Sequence, residues 1–302
     1  MKKLVTFITL FVIGCWTISA QTLPSLLVSP DVAGLGKANV TVADGAGAYS
    51  LENNAASMSF SDFKAAGAVS YGMWQPSYAN DKILGAGAAC RVTDRFAMGL
   101  IFKNFNQPSY EITNSDGQSS GTFTPGELSI GLGAAYSITD WLSVGVTGRM
   151  VNSKLADDAK ANVFGADISL FYKKDAISAG ISVNNIGSKV NYGGEDYTQP
   201  MLARAGAAWR IGNPEASSVT PSVEADLLFE GGFMAGLGIE YSYKSMLFAR
   251  GGFHYGDKGK AVPTYASLGL GVRLWGISLD VSYLTASDVL GNSVAFGLGY
   301  RF

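Results

Sequence analysis

Alternation of apolar with small or polar residues marks the last eleven residues of the chain, 292–302. Every second residue has an apolar side chain: Val294, Phe296, Leu298, Tyr300 and Phe302. The residues between them are serine, alanine, glycine and a single arginine. Because successive side chains of a β-strand point to opposite faces, this pattern predicts a strand with one apolar and one small, partly polar face. Such a strand suits a barrel wall with lipid outside and a wet interior.

The same stretch carries a glycine followed at fixed spacing by two aromatic residues, Gly297, Tyr300 and Phe302. This spacing is similar to the terminal signal by which outer-membrane barrels are passed to their insertion machinery. We therefore expect the chain to insert into a bacterial outer membrane.

Similar alternation recurs through most of the chain and predicts fourteen strands after Phe63. The predicted strands are 64–74, 82–92, 96–105, 127–136, 141–153, 162–173, 176–184, 201–211, 220–229, 233–243, 246–254, 264–274, 277–283 and 293–302. Each has about ten residues, the length that crosses a bilayer at the usual strand tilt. Bacterial single-chain barrels have an even number of strands. The predicted fold is all-β, a transmembrane antiparallel barrel of about 14 strands.

The lengths of the gaps between these strands also alternate. Gaps after even-numbered strands are mostly two or three residues, and gaps after odd-numbered strands are mostly longer. Short periplasmic turns and long outer loops produce this alternation. Two gaps depart from it: 212–219 is long for a periplasmic turn, and 230–232 is short for an outer loop.

The composition agrees with a membrane barrel. Charged residues form 15% of the chain, against about 25% in soluble domains. No apolar run of about 20 residues follows the amino-terminal region, which excludes a helical membrane protein. A soluble β-sandwich or a secreted barrel remains the alternative. The net charge of −2 offers no basic excess for nucleic acid.

The residues of a catalytic or metal site are scarce. The chain has one histidine, His254, and two cysteines, Cys15 and Cys90. No histidine triad, cysteine metal cluster or intramolecular disulfide of the mature chain is expected. The repeated Gly-x-Gly steps lie within strands and lack the context of a dinucleotide fingerprint. We therefore predict no enzyme, no cofactor and no metal.

The region before the first strand divides into two segments. Residues 1–20 have two lysines, a short apolar stretch and the small-residue site Ile18-Ser19-Ala20, as a secretory signal peptide does. Cleavage before a lipidated Cys15 is the competing interpretation. Residues 21–62 are rich in turn formers, and we expect a plug or cap in the barrel, with an ordinary periplasmic extension as the alternative. The predicted barrel domain is then 63–302.

Residues 34–58, GLGKANVTVADGAGAYSLENNAASM, resemble the opening motif of the PorV/PorQ family, relatives of the FadL-type fatty-acid barrels. The matching positions are Gly34 and Gly36 for the glycines, Ala43 and Asp44 for the acidic turn, and Asn54, Ala55 and Ala56 for Asn-Pro-Ala. Two positions differ from that pattern. Ala55 replaces the usual proline, and Val32 stands near a common arginine.

The resemblance implies a fourteen-strand barrel of the bacterial outer membrane that serves type IX secretion. Its partners would be cargo proteins or secretion components, held by the extracellular loops. The FadL side of the resemblance implies the alternative, a transporter of hydrophobic small molecules through the lumen. The sequence leaves open the subfamily, the cargo or ligand, the oligomeric state and whether the lumen is open.

Charged residues in the strands are expected on the inner face, because a charge facing lipid near the midplane costs about 2–4 kcal/mol. Both signs occur in similar number, and we expect ion pairs between strands. The predicted lumen network is Arg149, Asp167, Arg204, Arg210, Glu224, Asp226, Glu240, Arg250, Arg273, Asp280 and Arg301.

Two long outer loops, 106–126 and 185–200, are the predicted partner-binding regions, because loops on a rigid scaffold carry recognition. Their tyrosine, glycine and polar residues suit a protein-binding surface. The candidate contact residues are Tyr110, Asp116, Phe123, Tyr192, Glu195, Asp196 and Tyr197. The alternative is that these loops are solvated and bind nothing.

Overall fold

The computed structural model describes residues 23–74, 80–113, 116–257, 259–285 and 292–302. The predicted signal peptide and the alternative lipidation at Cys15 lie outside these residues. No helix within the described ranges is long and apolar enough to cross a membrane.

Fourteen antiparallel strands form a closed barrel, as the sequence predicts. The strands are β1 (Ala65–Trp74), β2 (Asp81–Arg91), β3 (Phe96–Asn106), β4 (Gly126–Ser137), β5 (Leu142–Lys154), β6 (Lys160–Lys174), β7 (Ile177–Gly187), β8 (Leu202–Trp209), β9 (Ser217–Leu228), β10 (Phe233–Tyr243), β11 (Leu247–Gly256), β12 (Tyr265–Leu274), β13 (Ile277–Thr285) and β14 (Ser293–Arg301). Each strand pairs with the next, and β1 pairs with β14 from Ala66↔Arg301 to Met73↔Val294. Closure leaves no unpaired sheet edge for the lipid.

The two faces of the wall follow the alternation of the sequence. On β12, Leu268 and Leu270 are each 63% exposed. Ser267, the neighbouring residue on the same strand, points to the other face and is buried. The exterior is therefore apolar around its middle and has aromatic residues near its periplasmic end, where the Trp141 and Tyr172 rings lie 5.8 Å apart. Interfacial aromatics of this kind mark the membrane boundary.

The connections explain one of the two irregular gaps. Residues Ile211–Asn213 pair with the start of β9, from Ile211↔Val219 to Asn213↔Ser217. The periplasmic turn is therefore only 214–216, and most of the long gap is strand. At another short turn, Trp275 and Gly276 both have positive φ (53° and 82°). A two-residue turn with this backbone matches the twist of the strands it joins.

The two long outer loops carry small hairpins of their own. Tyr110–Thr113 pairs with Ser119–Phe123 beyond β3. Val190–Asn191 pairs with Asp196–Tyr197 beyond β7. Both hairpins lie outside the barrel sheet, so they extend from the wall instead of lengthening it.

The amino-terminal segment, 23–62, consists of short helical turns. These are a 3-10 turn at Pro24–Leu26, helices α1 (Val32–Leu35) and α2 (Ser50–Asn53), and a 3-10 helix at Ala55–Phe60. The side chain of Asn54 caps the last of these by accepting from the N–H of Ala56 at 3.0 Å. Most of the segment is buried against inner-face residues of the strands.

Apolar packing joins this segment to the inner wall in several clusters. Leu51 and Met58 pack with Ala97, Ile101 and Ala135 of β3 and β4. A second cluster joins Val32 and Leu35 to wall residues Ile83, Phe105 and Leu284. The hydrophobic core of the molecule therefore lies inside the barrel, between the amino-terminal segment and the strands.

Inner-face glycines make this close approach possible. A Cβ added to Gly180 of β7 would lie 1.9 Å from the carbonyl oxygen of Val42. A Cβ on Gly145 of β5 would lie 2.3 Å from the backbone nitrogen of Ala56. Neither position admits a side chain without moving the backbone of the amino-terminal segment.

Candidate functional site

Glu52 of α2 is the centre of a buried ion-pair group inside the barrel. Lys103 of β3 donates from Nζ to its Oε1 at 2.5 Å, and Arg149 of β5 donates to its Oε2 at 2.9 Å. Arg149 also reaches Asp167 of β6 at 3.1 Å. Burial raises the pKa of Glu52, but Lys103 and Arg149 more than offset this and hold it at about 2. Glu52 is thus ionised at neutral pH.

A second group surrounds Arg204 of β8. Arg204 pairs with Glu224 of β9 at 2.5 Å and lies 3.6 Å from Asp226. The other oxygen of Glu224 accepts from the N–H groups of Thr41 and Val42 at 2.6 and 2.8 Å. Arg204 also donates to the carbonyl oxygen of Asn53 at 3.1 Å. This pair is therefore bonded to the amino-terminal segment from two sides.

A third group is formed by Arg250 of β11, which pairs with Glu240 of β10 at 2.7 Å and Asp280 of β13 at 2.6 Å. The Arg273 guanidinium lies 4.8 Å from the centre of the Phe248 ring. Nearer the periplasmic rim, Arg301 contacts Asp62 at 3.5 Å.

Of the predicted lumen residues, Arg210 is placed apart from these groups. It directly follows β8 at the periplasmic end and is exposed. Its neighbours Trp209 and Ile211 point outward, so regular alternation would turn Arg210 inward. The strand is interrupted at Arg210, and this alternation does not hold there.

Two residues at the centre of the first group, Glu52 and Lys103, are absent from the predicted network. The inward position of Lys103 could have been predicted from the sequence, because it lies two residues from both Ile101 and Phe105 on β3. Side chains two residues apart on a strand share a face, and those of Ile101 and Phe105 are buried. Lys103 is itself only 1% exposed. Glu52 carries no comparable signal, because it lies in a short helical turn outside any alternating strand.

Two cavities lie between the amino-terminal segment and the wall. The larger, of about 50 Å³, is bordered by Asn53, Arg149, Arg204 and Asp226 on its polar side and by residues such as Leu202 on its apolar side. The smaller, of about 10 Å³, lies among apolar residues near Trp74 and Leu284.

The first outer loop presents an aromatic pair. The rings of Tyr110 and Phe123 lie 5.7 Å apart across the hairpin, and the Tyr110 hydroxyl donates to the carbonyl oxygen of Leu155 at 3.4 Å. Tyr110 is 43% exposed, and Asp116 at the hairpin tip is exposed. The pair is thus braced against the neighbouring loop while part of its surface faces outward.

The second outer loop divides its candidate residues between two environments. Tyr192 is half-buried, donates to Ser153 at 2.8 Å and packs on an apolar cluster that includes Leu23 and Val163. Glu195 and Tyr197 are exposed. Asp196 accepts from Asn191 at 2.7 Å and lies 3.8 Å from Lys189. Tyr192 therefore anchors the loop to the barrel, and the exposed candidates lie on the hairpin beyond it.

A closed fourteen-strand barrel with an apolar exterior and an ion-paired interior defines the chain as a bacterial outer-membrane protein with a FadL-like fold. The family model described as "Type IX secretion system protein PorV" matches residues 16–231. The chain belongs to this family.

Solved structures show the same fold. The toluene transporter TbuX of Ralstonia pickettii has a TM-score of 0.60 at 13% identity, covering 88% of this chain and 98% of that chain. The toluene transporter TodX of P. putida has a TM-score of 0.63 at 12% identity, covering 89% and 97%. A FadL homologue of Pseudomonas aeruginosa has a TM-score of 0.56 at 13% identity, covering 91% and 99%. The search of curated proteins found no significant match.

Proposed function

We propose that this barrel acts in type IX secretion by holding protein partners on its extracellular loops, the partners being secreted cargo or subunits of a surface attachment complex. The observation that carries the proposal is the anchoring of the amino-terminal segment to the inner wall by Glu52, which contacts β3 and β5 at once. In this proposal the segment is a plug. A plugged lumen carries no bulky solute, so recognition falls to the loops.

The strength of this anchoring supports a permanent plug. Removing one partner of a buried ion pair costs about 3–5 kcal/mol of stability, because the remaining buried charge is left without compensation. Opening the lumen would break both ion pairs of Glu52 together, and with them the hydrogen bond from Arg204 to the carbonyl oxygen of Asn53. The proposal therefore includes no gating step in which the segment leaves the barrel.

The outer hairpins supply a surface suited to a protein partner. Tyr110 and Tyr197 are more than 40% exposed, and Asp116 and Glu195 of the same two loops are also exposed. Aromatic residues are enriched in protein interfaces, where they bury large areas at low entropic cost. No catalytic role is assigned to the loops or the lumen.

The second candidate function is passage of hydrophobic molecules, as in the toluene transporters TbuX and TodX. Two cavities formed by the described residues inside the barrel argue against it. They measure about 50 and 10 Å³, whereas an engineered protein cavity that binds benzene measures about 150 Å³. The larger one is also bordered by charged side chains such as Arg149 and Asp226.

The test is a mild-detergent purification of the tagged protein from native outer membranes, with mass spectrometry of its proteins and lipids. We expect secreted proteins or attachment subunits in near-stoichiometric amounts. A double Tyr110→Ala/Phe123→Ala variant should lose them. Tyr136→Ala, an exposed aromatic at the periplasmic end of β4, is the matched control and should retain them. A barrel recovered alone with a bound hydrophobe would overturn the proposal in favour of transport.

A further inference from the structure

The outward face of strands β3 to β6 changes from apolar to polar in three successive rows, each formed by residues that are paired across neighbouring strands. The row farthest from the outer loops is apolar and consists of Phe102, Ile130, Met150 and Phe164. The asparagine row follows it and consists of Asn104, Leu128, Asn152 and Asn162. The lysine row lies nearest the outer loops, extends to β2 and consists of Lys82, Asn106, Gly126, Lys154 and Lys160.

The asparagine and lysine rows lie at the outer boundary of the membrane. On β6, Phe164 is 58% exposed, and Asn162 and Lys160 follow it on the same face. Asn162 is ten residues along this strand from Tyr172, which belongs to the periplasmic aromatic boundary. Ten residues of strand rise about 34 Å, which is about 25 Å along the membrane normal at a tilt of about 40°. The apolar band of a barrel is about 25 Å tall, so Asn162 and Lys160 are level with the lipid headgroups.

The lysine row has no carboxylate to balance it. Lys154 and Lys160 are exposed and lie directly opposite each other across β5 and β6, a position in which like charges repel. Asp157 and Asp158 lie in the turn between these strands, and neither forms an ion pair with the two lysines in the described part of the chain. The outward positions of β2 to β6, all of which the structure describes, contain no acidic residue. An anion bound between the two ammonium groups would remove their repulsion.

The asparagine row adds neutral hydrogen-bonding groups next to these charges. Asn152 donates to Asn162 at 2.8 Å, and Asn106 of the lysine row donates to Asn104. A primary amide has two N–H donors and a carbonyl acceptor, so one such bond leaves further groups for a ligand. The surface therefore suits a ligand that carries both negative charge and hydrogen-bonding groups.

This surface is confined to one part of the circumference. Lys82, Lys154 and Lys160 are the outward-facing basic residues in the outer halves of the described strands. At the outer ends of β9 and β10, the outward positions are instead apolar, with Leu227 and Phe233 each 41% exposed. A requirement common to every lipid-facing strand would distribute lysines around the whole barrel. Their restriction to adjoining strands indicates one ligand at one place.

We propose that the asparagine and lysine rows bind the phosphorylated sugar headgroup of an outer-leaflet glycolipid, with its acyl chains on the apolar row. Glycolipids with phosphate on their sugars are the characteristic lipids of this leaflet. Lysine binds phosphate as a point charge, and basic residues beside a membrane-spanning segment attract anionic headgroups. A lipid whose chains lie on Met150 and Phe164 has its headgroup level with Asn162 and Lys160. A soluble protein would instead approach from the loops.

The test is native mass spectrometry of the full-length barrel, titrated in detergent with bisphosphorylated lipid A. The comparison ligand is the same lipid A with both phosphates removed. We expect the wild-type protein to bind the phosphorylated form more tightly. The double variant Lys154→Gln/Lys160→Gln should bind it about 30-fold more weakly, at about fivefold for each lysine beside an anionic lipid.

The matched control is Lys64→Gln/Lys174→Gln, which removes two exposed lysines from the periplasmic end of the barrel and should bind lipid A as wild type does. An equal loss in this control would overturn the proposal, because binding would then depend on net charge alone. Equal binding of the two lipid forms by the wild-type protein would also overturn it.

Two further outcomes separate the source of the anion. Excess inorganic phosphate should not displace lipid A, because the acyl chains add contacts with the apolar row; displacement would assign the site to free phosphate and overturn the proposal. A Lys154→Gln/Lys160→Gln variant that keeps full lipid A binding would overturn it as well. Loss of protein partners by that variant in the detergent pull-down would then assign the two rows to an acidic protein surface.

Discussion

The Nζ atom of Lys103 lies 2.5 Å from Oε1 of Glu52, which joins the inner face of β3 to a helical turn 51 residues earlier in the chain. The Lys103 side chain is 1% exposed. Glu52 is also bonded to Arg149, and these three residues unite two strands with the amino-terminal segment. Several properties of the protein should depend on this group.

Glu52→Gln should destabilise the barrel. The change leaves Lys103 and part of the Arg149 charge buried without their carboxylate, and we expect a loss of about 3–5 kcal/mol in the free energy of unfolding. Urea titration of the protein refolded in lipid vesicles measures it. Adding Lys103→Met should recover part of the loss, because an apolar side chain replaces the isolated charge. Equal stability of Glu52→Gln and wild type would show that the ion pair is not what secures the segment.

Gly180→Ala should displace the amino-terminal segment from the wall of β7. The added methyl group would lie 1.9 Å from the carbonyl oxygen of Val42, a distance that real contacts do not reach. We expect faster proteolysis within 23–62 and a rise in ion conductance across planar bilayers. Gly148→Ala on β5 is the matched control, since its Cβ meets nothing within 4 Å. Identical proteolysis of the two variants would contradict the close packing.

Tyr192 and Tyr197 should behave differently although they belong to one loop. Tyr192→Phe removes the 2.8 Å hydrogen bond to Ser153 and should lower stability by about 0.5–1.5 kcal/mol. Tyr197→Ala changes an exposed side chain and should leave stability unchanged while weakening partner recovery in pull-downs. Denaturation curves and quantitative mass spectrometry of the two variants check this. A Tyr192→Phe variant as stable as wild type would remove the assigned anchoring role.

Leu270→Arg should test the membrane placement of the wall. Leu270 is 63% exposed near the middle of β12, so a charge there faces the hydrocarbon region and should cost about 2–4 kcal/mol. Trp275 lies in the adjacent periplasmic turn, and Trp275→Arg should cost only about 0–1 kcal/mol. Unfolding in lipid vesicles compares the two. Similar costs would mean that the apolar band is not centred where the strands place it.

The strands could be predicted from the sequence, whereas the ion pairs of the lumen could not, and the reason is physical. Strand alternation depends on neighbours two residues apart, so all fourteen strands were located to within three residues of their observed bounds. The ion pairs join residues far apart in sequence, such as Glu52 and Arg149, separated by 97 positions. A sequence pattern can place Arg149 on the inner face, but it does not identify the carboxylate that Arg149 meets.

The sequence by itself determined the barrel, its strand number, its lipid-facing residues and its family resemblance, because periodicity and local motifs encode them. Tertiary structure decided which charges pair and where the lumen retains space. It also turned Tyr192 inward and left Tyr197 exposed, although both are loop tyrosines of similar local context. These outcomes depend on the closure of β1 on β14 and on the position of residues 23–62 inside the wall. Both are long-range events, and their energies arise only when distant segments meet.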